Sequence, residues 1–388
     1  SNDALSNDGI LNQYKINQIK SARLLGRGIN GALNKESLSL FWAGSALEFC
    51  VKATEVWVNV SSKYDTHEPW IAIQVNGRTV NRFMVEKSLG NYWVCIARNL
   101  NPQKENLITI MKDTQPMSGE ANHSLFINEV AMNKDGEFCK PKDYSCKIEF
   151  VGDSITTGEG LVGGPDEQEW ITQWMACNDN YAVRTARILD AEFSIMSQCG
   201  WGICWGWDGN RNSCIPKHYN KVCSVMWGDY QNSLGVNEDF DFKGGSDFVV
   251  INLGTNDNGA FSQQPWIDES GKEYKLSVGN DNNPSEKDAT ELIEGIKSFL
   301  NNVRQKNPNA KIIWVWGMIK LQILPSTILK GIELYKKEFD DKNVFALELD
   351  AMEDVEHTVY EKGSRGHPGP KTHCLAAEKI SDFIKSLN

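Results

Sequence analysis

The hydrophobic period of this chain changes once, near residue 140, and that change limits the folds open to it. From about residue 20 to 133 the apolar residues recur every second position. Leu47, Phe49 and Val51 alternate with other residues, as do Val56, Val58 and Val60. Ile71, Ile73 and Val75 repeat the pattern and lead into Asn76-Gly77, the strongest short hairpin signal. Tyr92–Ala97, Leu107–Met111 and Leu125–Met132 are further β-rich runs. Short strands at this spacing, with no helical period between them, predict an all-β jelly roll or sandwich.

Residues 133–144 are polar, with Lys134-Asp135-Gly136 and Lys140-Pro141-Lys142-Asp143, and mark a boundary. Beyond them strands and helices alternate. Strands are expected at Lys147–Val151, Ala191–Ser197, Asp247–Leu253, Lys311–Met318 and Val344–Leu349. Helices are expected at Tyr181–Leu189, Ser285–Val303 and Pro325–Phe339, and from Pro370 onward. In Ser285–Val303 the residues Ala289, Leu292, Ile293, Ile296, Leu300 and Val303 share one face, and Ser285 with Asp288 resembles a capping box. Such alternation predicts a three-layer α/β domain: a parallel sheet with helices on both faces. The expected organisation is therefore a β-domain over 1–140 and an α/β domain over 141–388, in keeping with a length of 388 residues.

Charge and cysteine content narrow the function. The 40 Lys and Arg against 51 Asp and Glu leave a net charge of −11, with no basic cluster, which disfavours nucleic acid as a partner. No apolar run approaches the ~20 residues needed to span a bilayer, so a soluble chain with no membrane partner is expected. The ten cysteines show no Cys-x-x-Cys spacing, which argues against a zinc ribbon. Several, such as Cys50 and Cys95, lie in apolar strand-like runs where a free thiol packs as a small hydrophobe. Mostly free thiols and a polar N-terminus without a visible signal peptide predict a cytoplasmic location.

In parallel α/β sheets chemistry gathers at the carboxyl ends of the strands. Gly152-Asp153-Ser154 follows the first expected strand, Gly200-Trp201-Gly202 the second, and Gly254-Thr255-Asn256-Asp257 the third, while His367-Pro368 precedes the last helix. An acyl-transfer site needs a nucleophile, a base and donors for an oxyanion. Ser154 can serve as nucleophile, His367 as base, and the Gly200 N–H and the Asn256 amide as donors. Each also has a structural reading: Ser154 as a helix cap, Gly200 and Gly202 as turn glycines, Asn256 as a loop cap. His373 competes with His367 but falls within the last helix. Gly158-Glu159-Gly160 lacks the Gly-Lys-Ser/Thr of a phosphate loop, and the G-x-S-x-G elbow is absent around Ser154. It is the joint occurrence of the four sites, in order and at element ends, that predicts function.

Gly-Asp-Ser-Ile-Thr, the Gly block, Gly-Thr-Asn-Asp and the late His-Pro resemble the four blocks of the SGNH (GDSL-like) hydrolases over residues 147–388. The resemblance implies a flavodoxin-like sheet and a metal-independent, cofactor-free Ser–His mechanism using Ser154, Gly200, Asn256 and His367, with Gly202 as the alternative to Gly200. The whole layout, including Leu24-Leu25-Gly26-Arg27 and the segment Phe41 to Phe49, is similar to carbohydrate esterase family two, in which a jelly roll precedes an SGNH domain. Those enzymes remove acetyl groups from plant polysaccharides. One departure stands out: Ser364 occupies the position, three before His367, where SGNH enzymes carry aspartate. Asp354, Glu353 and Glu356 are close in sequence, yet no spacing selects one, and a Ser–His dyad is expected.

Thirteen tryptophans are many for this length, and Trp201, Trp205 and Trp207 follow the Gly block. Indole faces stack on sugar rings. Trp201 and Trp205, with Asp153, are the expected substrate-binding residues, although each tryptophan can equally pack the excursion from Trp205 to Asn237 onto the sheet. An acetylated carbohydrate is the expected partner. A lipase- or thioesterase-type acyl hydrolase on the same residues and a non-catalytic carbohydrate-binding protein are the competing readings.

Overall fold

A computed structural model describes residues 5–6 and 9–388. The chain divides into two compact units. The first takes the chain up to Tyr144 together with Ile171–Gln173 and Lys221–Asp241; the second takes Ser145–Trp170, Trp174–Asn220 and Phe242–Asn388.

The first unit is built on two antiparallel sheets. The strands of these two sheets are β1 (Asn12–Lys15), β2 (Arg23–Leu25), β3 (Leu38–Ser39), β4 (Ala46–Lys52), β5 (Glu55–Lys63), β6 (Trp70–Val75), β7 (Arg78–Met84), β8 (Tyr92–Arg98), β9 (Asn106–Lys112), β10 (Ser124–Met132) and β11 (Glu137–Cys139). One sheet runs β8-β5-β10-β1, with β3 on β10; the other runs β11-β4-β9-β6-β7, with β2 on β4. The period-two residues do what the sequence predicts. Leu47, Phe49 and Val51, Val56, Val58 and Val60, and Ile71 and Ile73 are all fully buried in one core drawn from both sheets. Asn76 (φ 53°) and Gly77 (φ 80°) both take the left-handed conformation that a two-residue type I′ hairpin requires.

Two segments differ from expectation. Glu137–Cys139, read as linker, is an edge strand: Cys139 stands opposite Cys50, with the two Sγ atoms 2.8 Å apart. The segment Lys221–Asp241, read as part of the second domain, folds with the first unit. Trp42 Nε1 donates to Val222 O at 2.7 Å and Gln231 Nε2 to His123 O at 2.7 Å, satisfying buried groups that a period-based reading does not see.

The second unit holds a five-stranded parallel sheet of β12 (Cys146–Gly152), β13 (Ala191–Ser197), β14 (Phe248–Asn252), β15 (Lys311–Trp316) and β16 (Val344–Glu348). The order is β13-β12-β14-β15-β16, the 2-1-3-4-5 winding of a flavodoxin-like sheet. Its helices include α1 (Ser154–Thr157), α2 (Tyr181–Ile188), α3 (Thr255–Ala260), α4 (Glu286–Lys306), α5 (Pro325–Phe339) and α6 (Pro370–Ser386). Ser285 caps α4, accepting from Asp288 N at 3.4 Å. The register aligns three strand ends, with Gly152 opposite both Ser197 and Asn252. Among the described residues, no helix is long and apolar enough to cross a membrane.

α4 and α5 pack closely at Gly331, where an added Cβ would stand 3.0–3.1 Å from the Ile296 side chain. Helix propensity favours Ala over Gly by about 1 kcal/mol. Overpacking a buried contact costs about 1–3 kcal/mol, so Gly331→Ala is expected to lower stability, as measured by urea unfolding.

Candidate active site

β12 ends at Gly152, and the chain turns at once into the one-turn helix α1. Asp153 caps it: Oδ1 accepts from Ile155 N at 3.0 Å. Ser154, the first helical residue, is 6% exposed. Its Oγ lies 2.9 Å from His367 Nε2. The opposite ring nitrogen, Nδ1, lies 3.0 Å from the Arg365 carbonyl oxygen. A carbonyl only accepts, so Nδ1 carries a proton, and in the neutral ring Nε2 presents its lone pair to the Ser154 hydroxyl. A hydroxyl hydrogen-bonded to a base that a third group orients is the arrangement of an activated nucleophile.

None of the three carboxylates near His367 in sequence serves it. Glu356 accepts from Gly369 N and from Thr372 Oγ1, Glu353 accepts from Lys320 N, and Asp354 pairs with Lys320 Nζ at 2.7 Å. Ser364 is fully buried, and among the described residues its Oγ has no hydrogen-bond partner. The competing His373 is buried in α6, where Nδ1 accepts from Tyr181 N at 2.9 Å. Burial pushes its imidazole down to about 3, which makes it a neutral structural histidine.

The two remaining expected blocks are bound to each other. Asp257, fully buried, accepts from Ile203 N at 2.8 and 2.7 Å and from Cys204 N at 3.1 Å, and its carbonyl accepts from Trp205 Nε1 at 3.1 Å. Gly202 lets the loop approach so closely: an added Cβ would fall 1.9 Å from Asp257 Oδ2. Asn256 Nδ2 donates to Trp201 O at 2.9 Å and more weakly to Asp153 Oδ2 at 3.4 Å. The Gly202 N–H is taken by Ser213 O at 3.0 Å. Among the described residues, no protein group accepts from the Gly200 or Ser154 N–H, which leaves both open to an outside acceptor.

Of the expected substrate-binding residues, Asp153 is fully buried beneath the turn and Trp201 is half-buried, its ring 5.2 Å from that of His218. Trp205 is fully buried beside Phe261, with Arg211 over its ring, so it packs the loop and presents no face to a ligand. Trp207, two residues on, is exposed at 54%, and a Cβ added to Gly200 would stand 2.9 Å from its Cδ1. Trp207 lies in the same aromatic cluster, and only the side each ring takes in the loop separates it from Trp205. Sequence reasoning also passed over Asp257, although it completes the Gly-Thr-Asn-Asp block.

Burial pushes the carboxyl of Asp153 up to about 7, against the hydrogen bond from Ile155 N and with the charges of Asp257 and Glu159 adding to it. Asp257 is likewise raised to about 7 by burial, against its backbone donors. Between about pH 4 and 7 the folded chain therefore keeps a proton on Asp153 that the unfolded chain has lost, so this group's contribution to stability falls as pH rises through that window. Asp153→Asn removes that dependence. The difference in Tm, variant minus wild type, is expected to increase steadily from pH 4 to 7, and a difference independent of pH would refute the assignment.

No family model matches the sequence. The cellulase/esterase CelE of Acetivibrio thermocellus is 27% identical over 350 residues, 89% of this chain and 37% of its own length. The acetylxylan esterase/glucomannan deacetylase of Cellvibrio japonicus is 30% identical over 251 residues, 62% of this chain and 57% of its own. This chain thus matches about a third and somewhat over half of these curated relatives. Among solved structures, the acetyl xylan esterase Est2A of the rumen bacterium Butyrivibrio proteoclasticus has a TM-score of 0.89 at 32% identity, covering 97% of this chain and 99% of that one. A family two carbohydrate esterase from Clostridium thermocellum, in complex with cellohexaose, shares the fold with a TM-score of 0.74 at 24% identity, covering 94% and 98%. With nearly a third of its residues shared along the whole of Est2A, this chain belongs to the GDSL-like (SGNH) hydrolases, within carbohydrate esterase family two.

Proposed function

We propose that this chain is a serine esterase that removes O-acetyl groups from plant-type polysaccharides or oligosaccharides such as acetylated xylan or mannan. The observation that carries the reading is the 2.9 Å contact between Ser154 Oγ and His367 Nε2, with Nδ1 held on a carbonyl at 3.0 Å. The names of the relatives, acetylxylan esterase and glucomannan deacetylase among them, support the substrate class.

In this mechanism Ser154 Oγ attacks the acetyl carbonyl as its proton passes to His367 Nε2. The N–H groups of Ser154 and Gly200 receive the oxyanion. Asn256 adds a third donor by redirecting the N–H that rests on Asp153 Oδ2 at 3.4 Å, the longer of its two bonds. The tetrahedral intermediate collapses as Nε2 returns the proton to the departing sugar oxygen. Water then attacks the acetyl-enzyme by the same route in reverse, releasing acetate and restoring the Ser154 hydroxyl. No metal or cofactor enters these steps. Trp207 supplies the apolar face for a sugar ring beside the oxyanion donors, in place of Trp205. We read the antiparallel first unit as the family's jelly roll.

Acetate release from acetylated xylan and mannan, with p-nitrophenyl acetate as a soluble reporter, tests the reading. Ser154→Ala is expected to lower kcat by at least ~10³-fold. Release from none of the acetyl esters would sink the proposal, and release from long-chain acyl esters alone would favour the lipase-type reading. Trp207→Ala is expected to raise KM for acetylated xylo-oligosaccharides by ~10-fold while leaving p-nitrophenyl acetate hydrolysis within ~3-fold, the size of one ring-stacking contact. Equal effects on both substrates would remove Trp207 from the glycan site.

A further inference from the structure

Gly158-Glu159-Gly160 has no part in the mechanism above, yet it runs directly beneath His367. Gly158 (φ 86°) ends α1, and Glu159 N returns to Ser154 O at 3.0 Å. Gly160 allows the histidine loop to lie on this turn: an added Cβ would stand 2.6 Å from Ser364 O and 3.0 Å from His367 Cβ. The Glu159 side chain, only 6% exposed, is therefore folded back toward the imidazole. Oε2 lies 3.2 Å from His367 Nε2, and Oε1 lies 3.3 Å from Arg365 Nε. The Cys199 thiol also hydrogen-bonds this carboxylate.

Arg365 is the residue whose carbonyl holds Nδ1. It sits in the left-handed conformation (φ 55°, ψ 34°), which an arginine adopts only where its surroundings impose it. Three contacts impose it here: the Glu159 carboxylate on Nε, Gln168 O on Nη1 at 2.8 Å, and Glu167 O on the backbone N–H at 3.3 Å.

We propose that Glu159 is the positioning residue that stands in for the missing aspartate at position 364. It acts on His367 in two ways. Through Arg365 it fixes the carbonyl that selects the Nδ1–H tautomer. Through Oε2 it places negative charge beside Nε2, the atom that gains the proton from Ser154 and then gives it to the leaving oxygen. That charge favours the imidazolium, which must form as Ser154 Oγ attacks, over the neutral ring. It therefore lowers the barrier without tightening substrate binding. The usual acid reaches the ring from the Nδ1 side; here the charge comes from the Nε2 side, and a neutral carbonyl takes Nδ1.

This inference rests on the esterase reading, so the experiment runs wild type and Ser154→Ala beside Glu159→Ala and the isosteric Glu159→Gln, with p-nitrophenyl acetate as substrate. Both Glu159 variants are expected to lose ~10²-fold in kcat with KM within ~3-fold of wild type. Added formate, a carboxylate small enough for the space left by the side chain, is expected to restore Glu159→Ala by ~10-fold and to leave Ser154→Ala unchanged. A purely structural glutamate would not respond to formate. A kcat within ~3-fold of wild type in either variant overturns the proposal, as does a loss in Glu159→Ala that formate leaves untouched. If Glu159→Ala does not fold, Glu159→Gln decides the matter on kcat. A wild type no faster than Ser154→Ala would instead remove the esterase reading itself.

Discussion

The site depends on the register of a parallel sheet. β12 lies between β13 and β14, with Gly152 opposite Ser197 on one side and Asn252 on the other. Parallel strands run in one direction, so all three chain segments leave the sheet at the same edge and level. Ser154, Gly200 and Asn256 each lie within a few residues of those matched positions. A slip of one residue in any of the three strands would turn its side chains to the opposite face and scatter the groups. His367 alone comes from elsewhere, on the loop before α6, and needs an anchor of its own.

That edge is held by two buried acids, at a cost in stability. Asp257 gathers the N–H groups of Ile203 and Cys204 on one carboxylate, which binds the glycine loop to the turn that carries Asn256. Asp153 caps α1 under Ser154. Both are fully buried, and burial raises both toward neutrality, as expected for acids taken out of water without a full counter-charge. Arg365, in a backbone conformation unfavourable to any residue with a side chain, adds a strained loop. These are devices for geometry, and the close packing of the core around them offsets their cost.

Much of the architecture was legible because period and capping are local properties. The alternation of Val56, Val58 and Val60, the Asn76-Gly77 turn, Ser285 ahead of α4 and Pro325 and Pro370 at the heads of their helices all mark structure within a few residues of themselves. What escaped was decided by partners far along the chain. Glu137–Cys139 is a strand because its backbone pairs with β4, from Glu137 opposite Lys52 to Cys139 opposite Cys50. The segment from Lys221 to Asp241 belongs to the first unit, where Trp42 and Gln231 make its bonds. Trp205 and Trp207 have the same side chain two residues apart, and only the path of the loop sends one inward and the other to solvent.

The sequence by itself determined the two fold classes and the order of four short motifs, because hydrophobic period, turn chemistry and a nucleophile after a strand are written in neighbouring residues. It also exposed a gap, the serine at position 364. Only the tertiary structure decided how that gap is met. It set the Arg365 carbonyl on Nδ1 and folded Glu159 back under the imidazole, from a residue more than 200 positions away in the chain. A carboxylate acts through distance and direction in space, and no spacing along the chain records either.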